Sequence, residues 1–151
     1  MLKLTKTIEW DMGHRIPNHQ GKCKFPHGHR YRLEVTILGK ISTLKGASFE
    51  GMIVDFSDFK KIIRQKIHTP LDHRFMIYEQ DKLLKDLFSD GLKKELNLLF
   101  VPFIPTSENI VSWCYSQLKD AFGPKVQVSS CRLFESPSSF VEYVPDNITQ
   151  I

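Results

Sequence analysis

The sequence predicts an α+β protein whose helices lie on one face of an antiparallel sheet. Three observations carry this. Two strand-like runs open the chain, two more close it, and helical periodicity is confined to the stretch between them. The order is β-β-α-(α)-α-β-β, with no internal repeat and no low-complexity segment.

At 151 residues the chain is expected to form a single domain, 1–151, able to bury a core without disulfides. No apolar run approaches the length that spans a bilayer, and the opening residues lack the apolar region of a signal peptide, so no membrane partner is expected. Three cysteines without a CxxC pair point to reduced thiols and a cytoplasmic location. The net charge of +4 suits an anionic small molecule. Nucleic acid is not expected as a partner, because no run of Lys and Arg concentrates that charge.

Leu2 to Trp10 alternates loosely and reads as the first strand, running into Asp11-Met12-Gly13-His14-Arg15. Ile16 to Lys22 is a loop by composition. His29 to Gly39, rich in Tyr, Val, Ile and Thr, forms the second strand. Lys40 to Gly51 reads as a long loop. Ser57 is placed to cap a helix carrying Phe59, Ile62, Ile63 and Ile67 and stopping near Thr69-Pro70. Leu71 to Phe75 is read as irregular. A shorter helical pattern (Leu83, Leu84, Leu87, Phe88) breaks at Asp90-Gly91 and resumes from Leu92 to Leu99, and Val101 to Pro105 is extended. Thr106 or Ser107 caps the last helix, whose apolar side runs from Ile110 to Phe122 and which ends at Gly123-Pro124. Strands over Lys125–Glu135 and Phe140–Val144 close the chain.

The chemistry concentrates in Cys23-Lys24-Phe25-Pro26-His27-Gly28-His29. If His29 onward is a strand, a side-chain period of two puts His27 and His29 on one face. With His14 they make three imidazoles, the ligand set of a zinc site that keeps one position open. Cys23 has three readings: buried filler, a fourth ligand closing a Cys-His₃ site, or a reactive thiolate beside the metal. Cys114 and Cys131 read as packing, and His19 and His68 as ordinary surface or core residues. Asp72 and His73 make either a solvated turn or a pocket wall. Glu135, at a strand end, is either simply exposed or receives paired N–H donors from a ligand. Gly21-x5-His27-x-His29-x4-Glu34 fits half of a cupin motif, but the second half is missing and the helices sit badly in a jelly roll.

Several motifs occur together: the His14-Arg15 step, Cys23-x3-His27-Gly28-His29, and Gly51-Met52-Ile53-Val54-Asp55-Phe56. Leu71-Asp72-His73, Pro105-Thr106-Ser107-Glu108-Asn109 and the late Glu135 follow. In this order they resemble the 6-pyruvoyl-tetrahydropterin synthase / 6-carboxy-tetrahydropterin synthase family, nearly end to end. The resemblance implies the T-fold (tunnelling fold), a four-stranded antiparallel sheet with helices on one face that associates into an oligomeric barrel. It implies homohexamers built as dimers of trimers, with active sites between subunits. It also implies zinc on His14, His27 and His29, a catalytic Cys23 working with Asp72 and His73 in proton relay, and a Glu135 that anchors a pterin. Thr106, Ser107 and Glu108 would line the same pocket. The implied substrate is a pterin triphosphate, 7,8-dihydroneopterin triphosphate. One branch of the family eliminates triphosphate to a pyruvoyl pterin. The other also releases acetaldehyde and leaves 6-carboxy-5,6,7,8-tetrahydropterin, on the route to 7-deazaguanine and queuosine. The motif spacing here is closer to the carboxy branch. A non-catalytic zinc module built on a Cys23-His₃ site is the reading from a different class. The chain departs from the family pattern at Trp10-Asp11-Met12-Gly13 and in a longer segment at 78–104.

Overall fold

The computed structural model describes residues 1–85 and 90–146. A six-stranded sheet organises it, in the order β4-β3-β1-β2-β5-β6. The strands are β1 (Leu2–His14), β2 (His27–Gly39), β3 (Arg74–Tyr78), β4 (Leu98–Val101), β5 (Val126–Ser136) and β6 (Ser139–Tyr143). The expected four-stranded antiparallel sheet is present as β1-β2-β5-β6, and it is extended by β3 and β4, which run parallel to β1 and to each other. These two strands correct the expected strand count, and with it the irregular reading of Arg74-Phe75 and the helical reading of Leu98-Leu99. Both strands are short and carry consecutive apolar residues instead of alternation, the pattern of a strand covered on both faces.

β1 and β2 pair without interruption from Leu2↔Gly39 to His14↔His27, so both extend beyond the predicted ends. Their alternation builds the core. On β1 the inward residues run Leu4, Ile8, Trp10, Met12; on β2 they run Tyr31, Leu33, Val35, Ile37. Outward residues such as Thr5, Thr7, Asp11 and Arg30 stay at least partly exposed.

Helices cover the inward face. α1 (Phe56–Ile63) is capped by Asp55, whose carboxylate accepts from the Ser57 N–H at 2.6 Å, so the cap falls two residues before the predicted Ser57. Phe59, Ile63 and Ile67 are fully buried. The helix does not stop at Thr69-Pro70 as predicted. A π turn over Arg64–His68 widens the ladder, and Pro70 falls in the first turn of the short α2 (Thr69–Leu71), where its missing N–H is not needed. α3 (Lys82–Lys85) and α4 (Asp90–Glu95) lie in the 78–104 segment. The α4 helix includes Asp90-Gly91, which the sequence reading had as a break, while the predicted Leu87 and Phe88 lie outside the described residues. α5 (Ser107–Leu118) starts at Thr106, as predicted, and buries Ile110, Val111, Cys114 and Leu118. Among the described residues, no helix is long and apolar enough to cross a membrane.

Cys114 and Cys131 are buried free thiols, as the packing reading expected. Burial pushes the Cys114 thiol well up and that of Cys131 to about 12, so neither is a nucleophile at neutral pH. One charged pair lies inside: Arg15 Nε is 3.1 Å from Asp81 Oδ2, with both side chains nearly inaccessible. It ties the start of the 78–104 segment to the residue following His14.

Candidate metal centre and adjoining cleft

The inward stripe of β1 ends in His14 and that of β2 begins with His27 and His29. The alternation that buries the core therefore also turns three imidazoles to one place. Register completes the arrangement: His14 pairs with His27, and Met12 with His29. β5 runs beside β2 as far as Arg32↔Phe134, which brings the next residue, Glu135, to the histidine end. Ligand-capable atoms of His14, His27, His29 and Glu135 all lie within 4.8 Å of one another.

The protonation of the ring nitrogens follows from the hydrogen bonds. His14 Nδ1 is 2.7 Å from the Pro105 carbonyl oxygen, and His27 Nδ1 is 2.7 Å from that of Phe25. A carbonyl only accepts, so each Nδ1 carries a proton. In the neutral ring each Nε2 then presents a lone pair to the common centre, while a protonated His14 donates from Nε2 to Glu135. Backbone carbonyls that fix histidine tautomers in this way are the usual support of a metal ligand. The Nε2 atoms of His27 and His29 are buried without a hydrogen-bond partner among the described residues, although His29 Nε2 is 3.0 Å from Glu135 Oε1. Buried lone pairs that converge and find no donor are what a cation would satisfy. The donor set therefore fits a metal.

Electrostatics agree. Burial, ahead of the neighbouring charges, lowers the His29 pKa and favours the neutral ring that a metal needs. The contact from His14, helped by Ser107 and His29 and opposed by burial, holds the Glu135 carboxyl down to about 2. Tyr31, fully buried and stacked on Trp10, has its hydroxyl 3.3 Å from His14 Nε2, and burial pushes its pKa well up.

Beside the centre lies a cleft of about 370 Å³, whose walls include His19, Thr106, Ser107, Glu108, Glu135 and Phe140. Ser107 Oγ donates to Glu135 Oε2, so this carboxylate stands between cleft and metal centre. Thr106 caps α5 by accepting from the Asn109 N–H, and Glu108 occupies the first turn, where the helix dipole favours an acid.

A family model described as 6-pyruvoyl tetrahydropterin synthase matches residues 3–146. The chain belongs to that family. It is 38% identical over 144 residues to the 6-carboxy-5,6,7,8-tetrahydropterin synthase of Haemophilus influenzae, covering 95% of this chain and 99% of the relative. Identity to the enzyme of that name from Rickettsia conorii is 36%, with 94% and 99% covered. Among solved structures, an uncharacterized protein from Wolinella succinogenes superposes with a TM-score of 0.79 at 24% identity, over 96% of this chain and 98% of that one. Caenorhabditis elegans 6-pyruvoyl tetrahydropterin synthase superposes with a TM-score of 0.68 at 20% identity, over 96% of both chains. The fold is thus the T-fold of the 6-pyruvoyl tetrahydropterin synthase family, here with six strands in the sheet.

Within this family member the predicted site residues fall into the histidine centre, the cleft, the Cys23 turn and the cavity beside His73. His14, His27 and His29 converge as their spacing suggested, and Thr106, Ser107, Glu108 and Glu135 share the cleft. Cys23 sits half-buried on a 3₁₀ turn (Lys22–Lys24), and the fourth member of the metal-capable group is Glu135 instead. Asp72 and His73 form a pair, with His73 Nδ1 3.0 Å from Asp72 Oδ2. Burial raises the Asp72 pKa, but hydrogen bonds from His73 and the Asp11 N–H, with His68 nearby, outweigh it and leave the carboxyl below its ordinary value. Neither residue makes a hydrogen bond or ion pair with the three histidines among the described residues. His73 lines a second cavity of about 440 Å³ together with His29, Asp11, Gly13, Gly28 and Arg30, so this cavity adjoins the histidine centre from the other side.

Sequence reasoning missed Tyr31 and the carbonyls of Phe25 and Pro105. The tyrosine follows the two histidines at the same period of two, a signal open to the eye. Backbone carbonyls have no signature in sequence.

Proposed function

We propose that this protein converts 7,8-dihydroneopterin triphosphate and water to 6-carboxy-5,6,7,8-tetrahydropterin, acetaldehyde and triphosphate, as a cytoplasmic enzyme on the route to 7-deazaguanines. The observation that carries the choice of product is the identity, over nearly the whole of both chains, to enzymes named for the carboxy product.

His14, His27 and His29 would hold zinc through Nε2, leaving the fourth position for substrate. When bound, zinc supplies Lewis acidity that lowers the pKa of the substrate's side-chain hydroxyls. Glu135 receives the N–H edge of the pterin, and a carboxylate held near pKa 2 stays an acceptor throughout the neutral range. The α5 start, from Thr106 to Glu108, walls the ring. Cys23, as thiolate, takes a proton from the side chain. Asp72 holds His73 by Nδ1, leaving Nε2 to give or take the second proton.

Within one chain the Asp72–His73 pair makes no hydrogen bond or ion pair with the three histidines or Glu135 among the described residues, although His73 and His29 line one cavity. We propose a homohexamer of two trimers, on the ground of the family's fold.

Incubation with dihydroneopterin triphosphate tests the function. Acetaldehyde trapped as a hydrazone, together with a pterin of carboxy mass, is the expected result. A pyruvoyl pterin without acetaldehyde overturns the product assignment while leaving the metal centre and proton relay in place. No turnover of that substrate by the zinc-loaded protein overturns the function itself.

A further inference from the structure

His19 lines the cleft that holds Glu135 and Glu108, and nothing described so far uses it. Its side chain is exposed but its orientation is set. Asn18 adopts a left-handed φ of 65°, which turns the chain so that the His19 ring folds back over Gly21. His19 Nδ1 accepts the Gly21 N–H at 2.9 Å. An imidazole nitrogen that accepts a hydrogen bond carries no proton, so in the neutral ring the proton is on Nε2. Gly21 lets the ring approach: a Cβ there would lie 2.8 Å from His19 Cε1 and 3.2 Å from Nδ1.

The inventory of the cleft shows what such a donor is for. Glu108 and Glu135 are acceptors, and the Ser107 hydroxyl proton is already directed at Glu135. This leaves the Thr106 and Ser139 hydroxyls and the His19 ring as side-chain donors, the ring being the one whose donor atom is fixed by a second hydrogen bond. A heterocycle with an amide-like edge brings N–H groups, which the carboxylates take, and also a carbonyl oxygen, which they repel. A ligand carbonyl buried without a donor would lose affinity. We propose that His19 is a specificity residue whose Nε2–H donates to an acceptor oxygen of the bound pterin, with Gly21 as its positioning residue. This rests on the pterin reading of the cleft.

Binding of neopterin to the zinc-loaded protein, followed by ligand fluorescence, tests it. His19→Asn keeps the loop, because an Asn oxygen accepts from the N–H two residues on, while its remaining amide N–H sits one bond nearer the backbone than Nε2 and so draws the donor back from the cleft. We expect roughly three- to tenfold weaker binding, the worth of one neutral hydrogen bond, with zinc content and thermal midpoint unchanged. Gly21→Ala is expected to weaken binding in the same direction by pushing the ring aside, since Gly21 has an extended conformation that alanine adopts freely. The double variant should then be no weaker than His19→Asn alone, as for two changes that remove one interaction. His19→Asn binding like the wild type overturns the proposal and spares the pterin reading. Additive losses in the double variant overturn the positioning role of Gly21. A wild-type protein that does not bind neopterin overturns both readings.

Discussion

His14 Nδ1 and the Pro105 carbonyl oxygen are 2.7 Å apart, so the last residue of β1 is tied to the segment that starts α5. The imidazole is thereby held in the tautomer and orientation a metal requires, before any metal arrives. About one zinc per chain is expected by elemental analysis. His27→Ala or His29→Ala should lose most of it, since neither loss leaves three imidazoles. Chelation should empty the site of the wild type without unfolding it, because the ligands sit on a paired ladder. Full zinc occupancy in either variant would remove that residue from the centre.

Cys23→Ala should keep zinc and fold while turnover falls by orders of magnitude. The thiol lies outside the group that could hold a metal, so its loss takes no ligand away. Loss of metal together with turnover would instead place Cys23 on the zinc.

Acid stability of the metal-free protein should depend on Glu135. Its pKa in the folded state is about 2, below the ordinary 4.5. A depressed carboxyl contributes stability above its unfolded-state pKa and loses it as the pH falls through the folded one. The thermal midpoint should therefore drop between about pH 4.5 and 2, and Glu135→Gln should flatten that limb. A limb of unchanged depth in the variant would show that the carboxylate is not held as described. With zinc bound, the same variant should weaken neopterin binding far more than metal binding.

Asp81→Ala should destabilise the fold by about 3–5 kcal/mol, because it leaves the buried Arg15 guanidinium without its carboxylate. Denaturant unfolding measures this. A loss below about 1 kcal/mol would mean that Arg15 reaches water or another acceptor.

The features legible in the sequence were those that depend on local periodicity. His27 and His29 are two residues apart in a strand, so their common face followed at once. The caps and apolar faces of α1 and α5 were read within a turn. What escaped depends on pairing between distant segments. Glu135 meets the histidines because β5 lies beside β2, a neighbour relation that no residue type announces. β3 and β4 escaped because they are short and carry consecutive apolar residues, without the alternation that marks a half-exposed strand. Spacing alone leaves Asp72 and His73 as a solvated turn or a pocket wall; their side chains pair at 3.0 Å because His73 adopts a left-handed backbone conformation that a sequence does not announce.

The unbroken ladder from Leu2↔Gly39 to His14↔His27 has a consequence for insertions and deletions. With a period of two, one added residue beside Gly13 would leave Trp10 and Met12 seated in the core and turn His14 to the outer face. A codon gained or lost there should abolish metal uptake in a protein that still folds. A bulge can absorb such a slip, as β5 does against β2 near Thr36 and Ile37 and against β6 beside Glu135, but the β1-β2 ladder has none. The reading frame of the strand, as much as the identity of its residues, therefore decides whether His14 reaches the centre. Length variation among functional relatives should collect in the loops at 15–26 and 40–55.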